Sequence, residues 1–394
     1  MDKLVYLIYP LLALILLWGV RLYKSGCWNE EFMSLSQTKM LQGFCAICIM
    51  LHHAGQKTCA PWLNPWFIKP GLELFVPIGY FLVGIFLFCS GYGLYKSYQT
   101  KENYLQGFCK KRILPLILAF YSTALIFLAV RFLLGEKMDG AQIFYYVSGL
   151  QLCNPNAWFA IALPIFYLGF YLAFKYLRKE RAAVFVTCMV VFVYTLIGTV
   201  TDHNDWWMRG EWWYNSVHFF PLGLLFARHE EKIIRHIKKF YRLYLPLALV
   251  SIFIFYAYSE YTQAVFSYYG ENFNADFKVL RRWVCLLSQV AASCAFVFSV
   301  FMVGMKIQIG NRVLKFMGTI TLEFYLIHGL FVELFGFSFG DTVPGLYYIR
   351  NVACFVFVVM VLSLPAAYLL KKFHNFLLQG KGTVKSKKTE KNSE

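Results

Sequence analysis

Apolar runs long enough to cross a bilayer recur along nearly the whole of this 394-residue chain, and no other feature restricts its fold so sharply. They fall at about 4 to 20, 40 to 56, 74 to 95, 113 to 134, 157 to 174, 182 to 200, 216 to 227, 243 to 259, 283 to 305, 317 to 337 and 347 to 370. The hydrocarbon layer is roughly 30 Å thick, and a helical crossing takes about 20 mostly apolar residues. The pattern therefore predicts an all-α polytopic membrane protein of about eleven transmembrane helices, with the 216 to 227 run the shortest. With 59% hydrophobic and 15% charged residues, the chain has more apolar surface than a soluble core hides.

The net charge of +17 comes from 38 Lys and Arg against 21 Asp and Glu, but the cations sit in short clusters between the apolar runs. Such clusters are topology signals rather than a nucleic-acid surface. They occupy alternate connections: Arg21, Lys24 and Lys39; Lys96, Lys101, Lys110, Lys111 and Arg112; Lys175, Arg178, Lys179 and Arg181; Lys232 to Arg242; Lys306, Arg312 and Lys315; and Lys371 with Lys372. These belong in the cytoplasm by the positive-inside rule. The first span lacks a basic leader and a small-residue cleavage site, so it reads as a retained anchor with its N-terminus outside and the C-terminus cytoplasmic. Arg281 and Arg282 break the alternation on the outer side. The organisation expected is an extra helix and connection over 1–35, a membrane domain over 36–372, and a basic disordered tail over 373–394.

Eleven cysteines are present, most of them inside apolar runs, where cysteine acts as a small hydrophobe. Cys45-x-x-Cys48 is thus a poor zinc or redox motif, and no metal site is expected. Cys59 and Cys153 fall in connections expected outside, where a disulfide is open to them.

Ionisable groups inside membrane spans are functional candidates by default, because burying them in lipid costs about 2.5 to 3.5 kcal/mol on insertion scales. One set is Lys39, Gln42, His52 and His53 on the second span; Gln42 and His53 are eleven residues apart, hence on one face with about 16 Å of rise between them. A second is Ser90-Gly91-Tyr92 with Lys110, Lys111, Arg112 and Pro115, cations at a helix entrance that suit phosphate. A third is Thr321, Glu323, Tyr325 and His328, with Thr321 and Tyr325 on the side of His328 and Glu323 about 140° away. Each set also has a plain reading as helix-end polarity or anchoring. Two membrane helices each carrying a histidine favour a shared polar cavity.

Gln42-Gly43 through His53, Phe88 to Tyr92, Lys110 to Pro115, Trp158-Phe159 with Phe166-Tyr167, and Tyr325-Leu326-Ile327-His328, in this order, resemble the integral membrane acyltransferases of the acyltransferase 3 family. The resemblance spans roughly residues 36 to 370. It implies a core of ten membrane helices, so the first span is an addition. The family's first core helix carries arginine, ten residues, then histidine; here His53 matches the histidine, Gln42 stands in place of the arginine, and Lys39 is a nearby substitute cation.

The resemblance further implies transfer of an acyl group, commonly acetyl, from acetyl-CoA on the cytoplasmic side to a hydroxyl of a cell-surface polysaccharide or glycolipid. No cofactor is bound permanently; acyl-CoA is the donor substrate. Lys39, Gln42, Ser90, Lys110, Lys111 and Arg112 would meet the donor, His53 would act as base, and His328 with Tyr325 would position the acceptor or stabilise the oxyanion. His52, Trp158, Glu323 and Trp212 are expected on the acceptor side, and Trp206, Trp207, Trp212 and Trp213 with Asp205 and Glu211 form an outer cluster suited to sugar rings or to an interfacial belt. Without a soluble transferase domain, a second transfer outside the membrane would need a partner protein; membrane lipids are the other partner. The rival readings are a transporter, which predicts repeat symmetry that this sequence lacks, and an inactive sensor that kept the fold.

Overall fold

The computed structural model describes residues 3–201, 208, 210–266, 277–340 and 342–379. Among these, helices account for nearly all the regular structure: α1 Ile8–Leu17, α2 Leu35–Thr58, α3 Gly79–Thr100, α4 Leu114–Leu133, α5 Gly140–Ser148, α6 Trp158–Tyr176, α7 Glu180–Val200, α8 Phe219–Phe266, α9 Lys278–Gly304, α10 Arg312–Phe335 and α11 Val352–Gln379. Two short antiparallel pairings join Arg21–Leu22 to Ile307–Gln308 and Ser338–Phe339 to Val343–Pro344. Seven helices, α4 and α6 to α11, are long and apolar enough to cross a membrane. The chain is an all-α polytopic membrane protein.

Helix α8 holds two of the predicted runs. Its 48 residues would span about 72 Å if straight, more than twice the hydrocarbon thickness. Non-helical backbone at His229 (φ −114°, ψ 17°) and Phe240 (φ −112°, ψ 19°) divides it into two apolar arms around a basic segment. Helices α2 and α3 have 24 and 22 residues, but polar residues, among them His52, His53 and Lys57 of α2 and Lys96 and Gln99 of α3, dilute their apolar content and keep them out of that set of seven. Helix α5 was not foreseen; Asp139 caps its start and Gly149, at φ 77°, ends it.

The ends of the helices sort by charge. Asn29 donates to the carbonyls of Gly304 and Ile307, Gln37 exchanges hydrogen bonds with Ile309, Lys238 pairs with Glu30, Lys96 with Glu230, and Arg228 with Glu180. Connections far apart in sequence, each rich in Lys and Arg, thus meet at one end of the bundle, the basic end. Helix α1 is tied to the bundle at both of its ends: Tyr9 Oη donates to Gly71 O at 3.0 Å, and Asn311 Nδ2 donates to Ile15 O and Trp18 O.

Two glycine contacts set the closest approaches. A Cβ on Gly43 would lie 2.8 Å from the Gly318 nitrogen, and one on Gly318 would lie 2.7 Å from Lys39 O, so α2 and α10 cross backbone to backbone. Gly91 of α3 meets Phe220 O, and Gly223 of α8 meets Phe88 O, in the same way. Helix α10 is the most buried of the seven crossing helices, and the hydrophobic window of α8 is the most exposed.

Three expectations change. Cys59 and Cys153 are both free, buried thiols, with Cys59 packed at the end of α2 and Cys153 near the Arg131 guanidinium, so no disulfide joins them. The tail assigned from 373 is helical as far as Gln379, because His374 is buried and bonded to Glu323 and Ser122. Arg282 is not a misplaced topology signal: it is buried and its Nη1 donates to Thr199 O at 3.0 Å and Thr201 O at 2.7 Å, closing the end of α7. Asp205, Trp206 and Trp207 lie outside the described residues.

Candidate active site

Helices α2 and α10 run parallel, and the residues they bring together form a polar stripe along an otherwise apolar seam. It starts at the basic end with Lys39 and Gln42, reaches His53 against His328, and closes with Lys57 Nζ 3.0 Å from Glu333 Oε2. Lys39 to Lys57 is eighteen residues of one helix, about 27 Å, close to the hydrocarbon thickness. The histidines lie about 21 Å from Lys39 and one turn from Lys57.

His53 Nδ1 is 2.6 Å from His328 Nε2, and His328 Nδ1 is 2.8 Å from Phe324 O. A carbonyl only accepts, so the His328 proton is assigned to Nδ1 and its Nε2 is left with a lone pair. His53 must then donate from Nδ1, which leaves the lone pair of its own Nε2 free. His328 is wholly buried and His53 half-buried, and His53 Nε2 bonds to no described residue. The pair is oriented: one ring is locked by a backbone carbonyl, and it locks the other.

The walls around the pair come from four elements. His52 Nδ1 donates to Phe75 O at 2.9 Å, and its ring fills the place that a Cβ on Gly79 would take. His52 thus anchors the connection to α3 and lies 5.0 Å, ring to ring, from His53. Asn154 Nδ2 donates to Leu326 O, and the Asn156 amide packs on Gly329, next to His328. The Tyr325 ring is 6.2 Å from His328 and 5.7 Å from Phe159, and its hydroxyl bonds to no described residue. Thr321, expected on this side, spends its hydroxyl on Met317 O. Trp158 is buried against Phe159 and Trp213, whose ring lies 6.3 Å away, while Trp212 is partly exposed.

The donor-side candidates divide. Lys39 is exposed and lies within electrostatic reach of Arg112, Lys371, Cys89 and Glu323, while Gln42 hydrogen-bonds Cys89. Arg112 lies over Tyr104, 5.7 Å from its ring centre, on a π-helical turn, Cys109–Ile113, just before Pro115. Pro115 cannot donate to the 111 carbonyl, and the wider turn accommodates that loss. Lys110 and Lys111 are exposed. Ser90 is spent as a tie to α6, its Oγ 2.7 Å from Tyr167 Oη.

Glu323 does not join the histidine pair. Its Oε1 accepts from Lys371 Nζ and His374 Nδ1, both at 3.2 Å, and His374 Nε2 meets Ser122 Oγ at 2.7 Å. The 140° between Glu323 and His328 turns the carboxylate toward α11. There it forms a buried tie between α10, α11 and, through His374, α4. Sequence reading also missed the Lys57–Glu333 pair and the Asn154–Asn156 turn; an acid within the last turn of a span was the one available signal.

A family model of the acyltransferase 3 family, described as an acyltransferase domain, matches residues 39–372. No curated protein and no solved structure matches the chain.

Proposed function

Because the chain belongs to the acyltransferase 3 family, we propose that this membrane acyltransferase moves an acetyl group from acetyl-CoA to a hydroxyl of a cell-surface polysaccharide or glycolipid, with His53 as the base. The observation that carries this reading is the locked pair: His53 Nδ1 is held by His328 and its Nε2 is left as a lone pair at a half-buried position.

In the proposed reaction the acceptor hydroxyl gives its proton to His53 Nε2 as its oxygen attacks the thioester carbonyl. The C–S bond then breaks, and the leaving thiolate takes that proton, so free coenzyme A and an ester are formed and His53 is restored. General base catalysis of this kind contributes about 10² to 10⁴ in rate. The imidazolium formed in between keeps its Nδ1 proton on His328 Nε2, as the orienting member of a triad does. The Tyr325 hydroxyl is available to the developing oxyanion.

The donor is proposed to enter at the basic end, which we place in the cytoplasm by the positive-inside rule. Lys39 and Arg112 would meet its phosphates, and the roughly 21 Å from Lys39 to the histidines calls for a donor whose thioester sits on a long arm. Lys110 and Lys111 would act only as an outer charge field. The acceptor is proposed to approach from the Lys57–Glu333 end.

The test is release of coenzyme A from acetyl-CoA by the purified protein with extracted envelope glycan as acceptor. Glycan-dependent release that His53→Ala abolishes supports the reading. No release from folded wild type, with longer acyl donors and other acceptors also tried, would overturn it.

A further inference from the structure

Away from the histidines, the second arm of α8 and α9 enclose an apolar cleft of about 450 Å³. Its walls include Phe32, Tyr244, Leu247, Phe298 and Met305, and polar surface is almost absent. On α9 the lining runs from Ala291 to Met302, about 16 Å, and on the α8 arm from Tyr244 to Phe255, again about 16 Å. One leaflet of hydrocarbon is about 15 Å deep. The cleft therefore has the depth of a single leaflet and opens on the least buried crossing helix, where lipid is the neighbouring phase.

Its mouth is at the basic end. The segment between the breaks at His229 and Phe240 is amphipathic: Ile233, Ile234 and Ile237 turn to the bundle, while Lys232, Arg235 and Lys239, spaced three and four apart, are exposed along the other face. Arg242 follows just past the second break, exposed, with Ser25 Oγ 3.5 Å from its Nη2. Lys238 is neutralised by Glu30 at 2.6 Å, but Lys239 and Arg242 have no carboxylate partner among the described residues. Exposed cations at the basic end, on the segment of α8 that leads into the Tyr244 wall of an apolar cleft one leaflet deep, match one kind of molecule in charge and in shape.

We propose that this cleft is a binding site for an anionic glycerophospholipid, with one acyl chain lying between α8 and α9 and the phosphate against Lys239 and Arg242. The bound lipid ties the peripheral arm of α8 to α9, which Tyr241 Oη, donating to Met302 O at 2.9 Å, already does at the mouth. This site is separate from the acyl-transfer reading and stands without it.

The test is native mass spectrometry of the purified full chain against an equal mixture of phosphatidylglycerol and phosphatidylcholine with matched chains. Wild type should retain phosphatidylglycerol at least tenfold over phosphatidylcholine. The double variant Lys239→Gln with Arg242→Gln should bring the ratio near one while melting like wild type in phosphatidylcholine nanodiscs, and Ala295→Trp should lose retention of both lipids. Equal retention by wild type, a preference that survives the glutamine pair, or a retained species that is a lipid-linked glycan or an acyl-CoA would overturn the proposal. If the tryptophan variant fails to fold, the surface glutamine pair decides alone.

Discussion

His53 Nδ1 lies 2.6 Å from His328 Nε2, across 275 residues of chain, and the same offset of 275 relates Gly43 to Gly318, where the two helices touch backbone to backbone. The glycine contact sets the register and the register sets the histidine pair. Ten residues of parallel helix separate the two contacts, so a shift of one residue at the glycines would carry His328 by about 100° around its axis and out of reach.

Replacing His53 tests the base directly. His53→Ala and His53→Gln should each lower glycan-dependent coenzyme A release by about 10² to 10⁴ while leaving the melting temperature in detergent nearly unchanged. Activity within a few-fold of wild type would remove His53 from the chemistry.

His328 should behave as a positioning residue. His328→Asn retains an oxygen that can accept from His53 Nδ1, whereas His328→Leu leaves that N–H buried without a partner, a loss of about 1 to 3 kcal/mol. We expect kcat to fall about tenfold or more in the leucine variant and clearly less in the asparagine variant, with the KM for acetyl-CoA unchanged in both. Equal losses in the two variants would argue against this arrangement.

The seam itself is testable through Gly318. A methyl added there meets Lys39 O at 2.7 Å, so Gly318→Ala should destabilise by about 1 to 3 kcal/mol and lower activity through misregister. The readouts are thermal unfolding in detergent and coenzyme A release per folded molecule; a neutral substitution would show that α2 and α10 do not cross here.

At the donor end, Lys39→Glu should raise the KM for acetyl-CoA about tenfold, the equivalent of one charge-assisted hydrogen bond, and leave kcat nearly constant. Gln42→Arg, which restores the family's residue, should lower that KM. An unchanged KM in both variants would move the phosphates elsewhere.

Cys153 should resist alkylation. Burial pushes its thiol up to about 11 against the pull of the Arg131 guanidinium. A group held protonated to that pH reacts little with iodoacetamide at pH 8 in the folded protein, and labelling should appear only on denaturation. Ready labelling of Cys153 in folded protein would contradict the packing of this connection.

The order of the apolar helices was legible in the chain because each run carries its own signal: an apolar stretch is read by lipid one segment at a time, although only seven helices among the described residues are long and apolar enough to cross a membrane. Even the short 216 to 227 run was identifiable, because the basic Lys232 to Arg242 segment had to interrupt any longer span. Gln42 and His53 sharing a face was equally local, since α2 is unbroken from Leu35 to Thr58. Partners were not legible. Nothing in the spacing of Thr321, Glu323, Tyr325 and His328 says that α10 packs parallel to α2 with an offset of 275, that Glu323 turns to Lys371 and His374, or that Arg282 closes α7 rather than marking topology. Helix periodicity assigns each side chain to a face of its own helix, but which faces meet depends on where backbones can approach. Here that is decided by glycines hundreds of residues apart, so the sequence alone determined a membrane bundle with two histidines on two helices, and only tertiary packing made them a pair.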